Sequence, residues 1–427
     1  MEERVLLVGG GGREHAIAQA LADTTLYAYS HNRNPGIASL AADVHIGSET
    51  DTDAIVDFAT STDATVAMIG PEAALAAGVV DALETAGIYA FGPPADMARL
   101  ETDKAYQREF MAEHGIDARP AFETFESVDP AVEYLESVDG DVAVKPRGLT
   151  GGKGVRVTGD QLTKAEAAVY LRESEYDEWV IEERLVGEEF TVQAFVANGE
   201  VRPTLAVQDH KRAYEGDKGP NTGGMGSYSD TGPVLPFMTR EDYDAAVDVL
   251  EETVEALGDY RGVLYGQFML TAAGPKVIEY NVRFGDPEAM NTLPALETEF
   301  IDVLGAARDG TPLPELSFSG QATVCKYAVP SGYPVEPDAG AKVTVDVEDV
   351  PETELFYASV DDRADDIYTT TSRSFAVLGL GESISAAESR AEAALADVGR
   401  GFHIRHDIGT DELLESRIEH MNEIRKS

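Results

Sequence analysis

The chain has 427 residues, 43% of them hydrophobic, with a mean hydropathy of −0.20. At about 150 residues per domain this makes two or three domains with sizeable cores, and it excludes a disordered chain. The 33 Lys and Arg against 78 Asp and Glu give a net charge of −45, a surface that repels phosphate backbones and argues against a nucleic-acid partner.

Strands are predicted over 4–8, 26–30, 64–69 and 88–91, and helices from 13 to about 21 and over 73–86, with an amphipathic stretch at 55–59. Alternating strands and helices predict a parallel, doubly wound sheet. Ligands on such sheets bind beyond the strand C-termini, where 9–14, 70–72 and 92–93 stand. A helix follows from 102 to about 114, with Gly115 as its stop. Next come a strand at 141–145, a Gly-rich loop, a helix at 163–172 and a strand at 178–183. Two hairpins are predicted, 190–197 with 200–207 about Asn198-Gly199, and 263–270 with 276–282, separated by a helix at 243–256. After Gly320 come strands at 322–329, 342–347 and 374–380 and a helix at 385–397. The acidic residues are spread along the whole chain, which favours adaptation to high salt over an acidic tail. A single cysteine, Cys325, excludes a disulfide framework and is read as a buried thiol. No apolar run approaches the roughly 18 residues of a membrane span, and Met1-Glu2-Glu3-Arg4 lacks the basic start of a secretion signal, so a cytoplasmic location is expected.

Four segments carry chemistry. Gly9 to Gly12, before Arg13-Glu14-His15, is a glycine turn between strand and helix, where bare N–H groups can face an anion. Three readings stand: a phosphate or phosphosugar site, a ligand-free turn, or a dinucleotide site, although the G-x-G-x-x-G spacing fails at Glu14 and at His15. Lys145-Pro146-Arg147-Gly148-Leu149-Thr150-Gly151-Gly152-Lys153-Gly154 ends a strand with a lysine and continues in glycines, whose entropic cost is justified if amides close over phosphates. A plain hairpin loop is the alternative, and the spacing is not that of a Walker P-loop. In Glu279-Tyr280-Asn281 the strand period of two puts Glu279 and Asn281 on one face. A hairpin symmetric about Ala273 sets Gln267 opposite Glu279, so three oxygen donors converge as for Mg²⁺; a solvated strand face is the alternative. The long polar segment 208–226 suits a ligand-wrapping loop. Lysines are scarce, and Lys104, Lys145, Lys153, Lys211 and Lys218 all fall in these polar or Gly-rich stretches.

Together these segments resemble the ATP-grasp superfamily and, more narrowly, the glycinamide ribonucleotide synthetase family. The order matches over nearly the whole chain. It runs from Gly-Gly-Arg-Glu-His at 11–15, Gly-Pro-Glu at 70–72 and Phe-Gly-Pro at 91–93 to Lys104, Lys145 with its loop, and Ile-Glu-Glu at 181–183. It ends in Gln-Asp-His-Lys-Arg at 208–212, Gly-Pro-Asn-Thr-Gly-Gly-Met-Gly at 219–226 and Glu-Tyr-Asn-Val-Arg-Phe-Gly-Asp-Pro-Glu at 279–288. Pro146-Arg147 and Thr150-Gly151 depart from the family's usual loop, and the Gln267 position is variable.

The resemblance implies an α/β and α+β chain in three parts. These are an N-terminal doubly wound parallel-sheet (pre-ATP-grasp) domain at 1–103, a two-part ATP-grasp domain at 104–318 with a mobile lid at 117–188, and a small C-terminal α/β domain at 319–427. It implies an ATP-dependent ligase of purine synthesis that joins glycine to 5-phosphoribosylamine through glycyl phosphate. Another purine-pathway ATP-grasp ligase or carboxylating enzyme, and a non-catalytic nucleotide-binding module, are the alternatives. By this resemblance Lys104, Lys145 and Lys153, with Gly151, Gly152 and Gly154, contact ATP phosphates. Glu182 and Glu183 lie at the adenine hinge, and Glu188 holds the ribose. Gln267, Glu279 and Asn281 bind Mg²⁺ or Mn²⁺, as two ions. Arg283 stabilises the transferred phosphoryl group and Asp286 receives the amine. Gly11, Gly12, Arg13, Glu14, Glu72 and Arg373 face the phosphoribosyl group, and Asp209, Lys211, Asn221, Thr222 and Gly223 complete the substrate site. A monomer or weak homo-oligomer is expected.

Overall fold

The computed structural model describes residues 3–426 apart from 149–153, 346, 348, 364, 365 and 397. The N-terminal layer alternates as its apolar runs dictate: β1 (Arg4–Val8), α1 (Gly12–Ala20), β2 (Thr25–Ser30), α2 (Pro35–Leu40), β3 (Asp43–Ile46), α3 (Thr52–Ser61), β4 (Val66–Ile69), α4 (Glu72–Ala76), α5 (Val79–Thr85) and β5 (Tyr89–Phe91). The five strands form one parallel sheet in the order β3-β2-β1-β4-β5. The central strand β1 is buried from Val5 to Val8, as expected for a strand covered on both faces. The helix predicted over 73–86 is two helices, because Gly78 takes left-handed backbone at φ +81° between them.

Two helices, α6 (Ala95–Thr102) and α7 (Lys104–Glu113), connect this layer to the next, where the sequence predicted one helix from 102. The break is Asp103, which is extended and caps α7 by accepting the Tyr106 N–H. A small unit follows: β6 (Phe122–Phe125), α8 (Val128–Ser137), β7 (Val142–Pro146), β8 (Arg156–Val157), α9 (Lys164–Glu173) and β9 (Trp179–Glu183). Its sheet has the order β6-β9-β7-β8. Leu135, Val144, Leu171, Trp179 and Ile181 give it a hydrophobic core separate from the main one.

The third layer contains β10 (Glu188–Ala197), β11 (Glu200–Pro203), β12 (Gln208–Asp209), β13 (Arg212–Tyr214), β14 (Lys218–Asn221), β15 (Gly226–Ser229), α10 (Arg240–Leu257), β16 (Gly262–Thr271), β17 (Gly274–Asn281), α11 (Glu288–Ala295) and α12 (Phe300–Asp309). Strand β11 stops short of the predicted 207 at Pro203, which has no N–H for a ladder. The sheet runs β11-β10-β16-β17. Gln267 does lie opposite Glu279, but the hairpin turn is not centred on Ala273. Thr271 pairs with Gly274, and an irregularity between Gln267 and Phe268 restores the register.

The last layer holds β18 (Ala322–Pro330), β19 (Thr353–Tyr357), β20 (Val360–Arg363), β21 (Asp366–Thr369), β22 (Phe375–Gly381), α13 (Ile384–Leu395), β23 (Phe402–Ile404) and α14 (Asp411–Ile424). Strands β12 and β15 join β18, β22 and β19 in one sheet, so the loop after 208 is stitched into the C-terminal part. The strand predicted at 342–347 does not form among the described residues; Lys342 makes only an isolated bridge to Tyr368. Cys325 is buried in β18, and burial pushes its thiol up.

His15 ties the first layer to the last. Its Nδ1 accepts the Tyr357 N–H at 2.9 Å, and its ring stacks on Tyr357 at 6.1 Å. Burial lowers its pKa to about 4 from 6.5. A buried neutral histidine stabilises the fold fully above the unfolded-state value, and that contribution is lost as pH falls through about 4. Unfolding free energy from urea titrations is expected to drop between pH 6.5 and 4, and His15→Asn, which keeps an acceptor without a titration, is expected to show a shallower drop.

Candidate active site

The principal cleft has a volume of about 520 Å³ and lies between the small unit, the β10-β16-β17 sheet and α14. Lys104, Lys145, Glu182, Glu183, Glu188, Asp209, Lys211, Asn221 and Glu279 all line it. Gly151, Gly152 and Lys153 lie outside the described residues, and Gly154 accepts the Tyr170 hydroxyl through its carbonyl at 2.8 Å. Lys218 is exposed on β14 and does not line the cleft.

One end of the cleft is cationic. Glu182 is buried and accepts Arg108 Nε at 2.7 Å, with Lys145 Nζ at 2.6 Å on its other oxygen. Burial would raise this carboxyl, but Arg108 and Lys145 outweigh it and hold it low. Its carboxylate is spent on these cations, so only the backbone near Glu182 is left for a hinge contact. Glu183 is exposed and accepts the Ala121 N–H. Lys104 donates to the Gly148 carbonyl at 2.7 Å, and burial lowers its ammonium. The unusual Arg147 has a clear partner: it forks onto Asp103 at 2.8 Å and 2.8 Å, binding the loop to the cap of α7. With three cations against Glu182, this end carries surplus positive charge.

The other end is acidic and centres on Lys211. Its Nζ donates to Gln267 Oε1 at 2.5 Å and lies 3.6 Å from Glu279 Oε1. Glu189 accepts Gln267 Nε2 at 2.8 Å. Burial alone would lower the Lys211 ammonium, but Asp209, Glu279 and Glu189 hold it above its ordinary value. Burial pushes the Asp209 carboxyl up against the pull of Lys211. Glu279 is held low by Lys211, Lys104 and Lys145 in spite of burial. Among the described residues no three His, Cys, Asp or Glu side chains make a metal cluster; the candidate set is one carboxylate and two amides. These are hard oxygen donors, and they already accommodate one positive charge, so they fit a divalent cation.

A second region begins where β17 ends. Arg283 donates to Asn281 Oδ1 at 3.3 Å, pairs with Glu101 at 2.7 Å and lies 3.6 Å from Glu72. Glu101 also accepts the Val282 N–H, so it fixes both the backbone and the guanidinium. Arg13 donates to the Phe284 carbonyl and to Glu14. Within the glycine turn Glu14 accepts the Gly11 N–H at 2.8 Å. A Cβ at Gly70 would overlap the Glu14 side chain, and one at Gly12 would overlap the Tyr327 hydroxyl. Asp286 accepts Tyr327 OH at 2.7 Å and pairs with Arg373 at 3.1 Å. Arg373 also donates to the carbonyls of Gly223 and Gly224, which sets it on Asp286 and the 222–224 turn. Thr222 is buried, its hydroxyl bonded to the Lys211 carbonyl and the Gly224 N–H.

Several residues here escaped the sequence reading: Arg108, Glu101, Glu189, Tyr327, Arg417 and His420. Arg108 had a signal, since Gln107-Arg108 falls on the apolar face of its helix, where only a buried partner justifies a charge. Arg417 and His420 had none, because α14 reads as an ordinary amphipathic helix.

The phosphoribosylglycinamide synthetase family models match in three pieces: the N domain at residues 3–101, the ATP-grasp (A) domain at 102–289 and the C domain at 323–411. The chain is 51% identical to the phosphoribosylamine–glycine ligase of Methanosarcina barkeri over 99% of this chain and 100% of that one. It is 48% identical to that of Methanopyrus kandleri, covering 99% of each. The crystal structure of a phosphoribosylamine–glycine ligase from Thermotoga maritima superposes with a TM-score of 0.80 at 28% identity, over 95% of this chain and 99% of that one. The biotin carboxylase domain of Hydrogenobacter thermophilus 2-oxoglutarate carboxylase shares the fold, with a TM-score of 0.72 at 16% identity, over 99% of this chain and 94% of that one.

Removing one partner of the Glu182 triad leaves a buried charge unpaired. Arg108→Leu is expected to cost about 3 kcal/mol in urea unfolding, and the triple variant Arg108→Leu, Lys145→Leu and Glu182→Leu, which leaves no member of the triad charged, to recover most of it. Equal losses in the single and triple variants would mean that the triad does not act as a unit.

Proposed function

We propose how the cleft works from the premise that the chain belongs to the phosphoribosylglycinamide synthetase family and is an ATP-dependent ligase joining glycine to phosphoribosylamine. One observation carries the residue roles: a single cleft is lined by the cations Lys104, Arg108 and Lys145 and by the carboxylate of Glu279, which the buried Gln267 faces from the paired strand. A triphosphate needs the first set, and its counter-cation needs the second.

In this reading Lys104 and Lys145, with Lys153, Gly151, Gly152 and Gly154 of the glycine loop, hold the phosphates. The backbone from 182 to 187 borders the adenine, and Glu188 accepts the ribose hydroxyls. Gln267, Glu279 and Asn281 would hold Mg²⁺, or Mn²⁺ in its place, as two ions. A divalent cation there supplies charge neutralisation at the β- and γ-phosphates.

The glycine carboxylate is a poor electrophile. Transfer of the γ-phosphoryl group to it gives glycyl phosphate and ADP. The neutral amine of phosphoribosylamine then attacks the carbonyl carbon, the C–O bond to phosphate breaks, and glycinamide ribonucleotide forms. The protein supplies positioning and charge rather than a covalent step. Arg283, clamped by Glu101, neutralises the phosphoryl group in transfer, and Asp286 takes the proton of the attacking amine. Gly11, Gly12, Arg13, Glu14, Glu72 and Arg373 border the phosphoribosyl group. Asp209, Lys211, Asn221, Thr222 and Gly223 close the site between the two halves. The small unit, within 117–188, acts as a lid that keeps water from the acyl phosphate; its separate core supports movement as one body. The charge of −45 supports work in a high-salt cytoplasm, and no helix among the described residues is long and apolar enough to cross a membrane. The chain acts as a monomer or weak homo-oligomer.

The test is ADP release in high-salt buffer with Mg²⁺ and ATP, adding glycine and freshly generated phosphoribosylamine separately and together. Turnover is expected only with both, and Glu279→Gln is expected to lower it about a hundredfold. Binding without turnover under every combination would remove the substrate roles. For the lid, ATP is expected to slow amide exchange in β7 and β8, and unchanged exchange would count against closure.

A further inference from the structure

The sequence beyond residue 411, where the family-model match ends, still reaches the cleft. Helix α14 sets Arg417 and His420 one turn apart, and both line the nucleotide end. Both point at Glu188. His420 Nδ1 lies 2.6 Å from one carboxylate oxygen, and Arg417 Nε lies 3.4 Å from the other. Gln208 Nε2 adds a third contact at 3.3 Å.

This arrangement is anchored from behind. Arg417 pairs with Asp217, which also pairs with Arg405 at 2.8 Å. Arg405 is fully buried and grips Asp407 at 2.6 Å. The guanidinium of Arg417 therefore cannot swing away from Glu188 without breaking a chain of ion pairs anchored on the buried Arg405. Donors are also left over in the same wall. Among the described residues neither ring nitrogen of His210, which is 2% exposed and lines the cleft, has a hydrogen-bond partner. Buried polar atoms without partners in a cleft mark where a ligand's polar groups belong.

We propose that Arg417 and His420 are positioning residues for nucleotide recognition. They hold the Glu188 carboxylate oriented toward the ribose, and so set the preference for a ribonucleotide with a free 2′-hydroxyl. This rests on the reading that Glu188 accepts the ribose hydroxyls. The carboxylate is buried, and burial pushes its pKa up; the Arg417 guanidinium and the hydrogen bonds from His420 and Gln208 oppose that. A hydrogen bond to a charged group is worth about 1.5–3 kcal/mol, so loss of one such contact should weaken nucleotide binding about tenfold or more.

The test compares ATP with 2′-deoxy-ATP in the full-length enzyme, with glycine and phosphoribosylamine saturating, and records the thermal midpoint of each variant. His420→Ala and Arg417→Met are expected to raise KM for ATP about tenfold, to change kcat by less than about threefold and to shrink the preference for ATP over 2′-deoxy-ATP. KM for glycine is expected to stay constant. His420→Asn, which keeps an N–H near the position of Nδ1, is expected to restore most of the preference. Folded variants with an unchanged ATP preference, or a His420→Asn as impaired as His420→Ala, would overturn the clamp. Glu188→Gln separates the two readings. If it leaves the preference intact, the ribose role of Glu188 fails and the clamp with it. If it abolishes the preference while both α14 variants keep it, only the clamp fails.

Discussion

The buried carboxylate of Glu182 is the joint on which the rest depends. It comes from β9 in the small unit, and it is gripped by Lys145 of β7 and by Arg108 of α7. Arg108 also donates to the carbonyls of Val277 and Ile278 on β17. One guanidinium thus joins the connecting helix, the small unit and the strand that carries Glu279. Two cations on one anion leave a net positive charge in a site shielded from water, where charge acts over a longer range than at the surface. That excess is what a polyphosphate can use.

The opposite imbalance operates one strand away. Asp209, Glu189 and Glu279 surround Lys211, so the acidic groups outnumber the cation between them. The two imbalances lie within one cleft of about 520 Å³. Neither would be stable alone in an apolar interior, since unpaired buried charge is costly. A magnesium nucleotide, negative where the site is positive and positive where it is negative, would resolve both. The acceptor region repeats the pattern on a smaller scale, with Arg283 against Glu101 and Glu72, and Arg373 against Asp286.

Much of this was legible in the chain. The doubly wound sheet followed from alternating apolar runs, and Gln267 was placed opposite Glu279 by counting along a hairpin. That placement held because a local irregularity offset a turn that was not centred where the count assumed. The glycine turn was legible as a turn, but not that the N–H of Gly11 meets Glu14 three residues on, a local pairing that composition does not reveal. Arg147, a departure from the expected loop, became intelligible only with Asp103 beside it. Arg417 and His420 were not legible, because their helix carries the pattern of any surface helix.

The sequence by itself determined the elements, the order of the motifs and the chemical types available, because periodicity, glycine placement and residue chemistry are local properties. It also determined the family, through motifs that run nearly end to end. Only the tertiary structure decided which charges face each other. Glu188 meets Arg417 and His420 more than two hundred residues along, and Arg13 meets Phe284. Such pairings are set by how the layers pack and by the need to neutralise charge once it is buried, and no spacing along the chain encodes that distance.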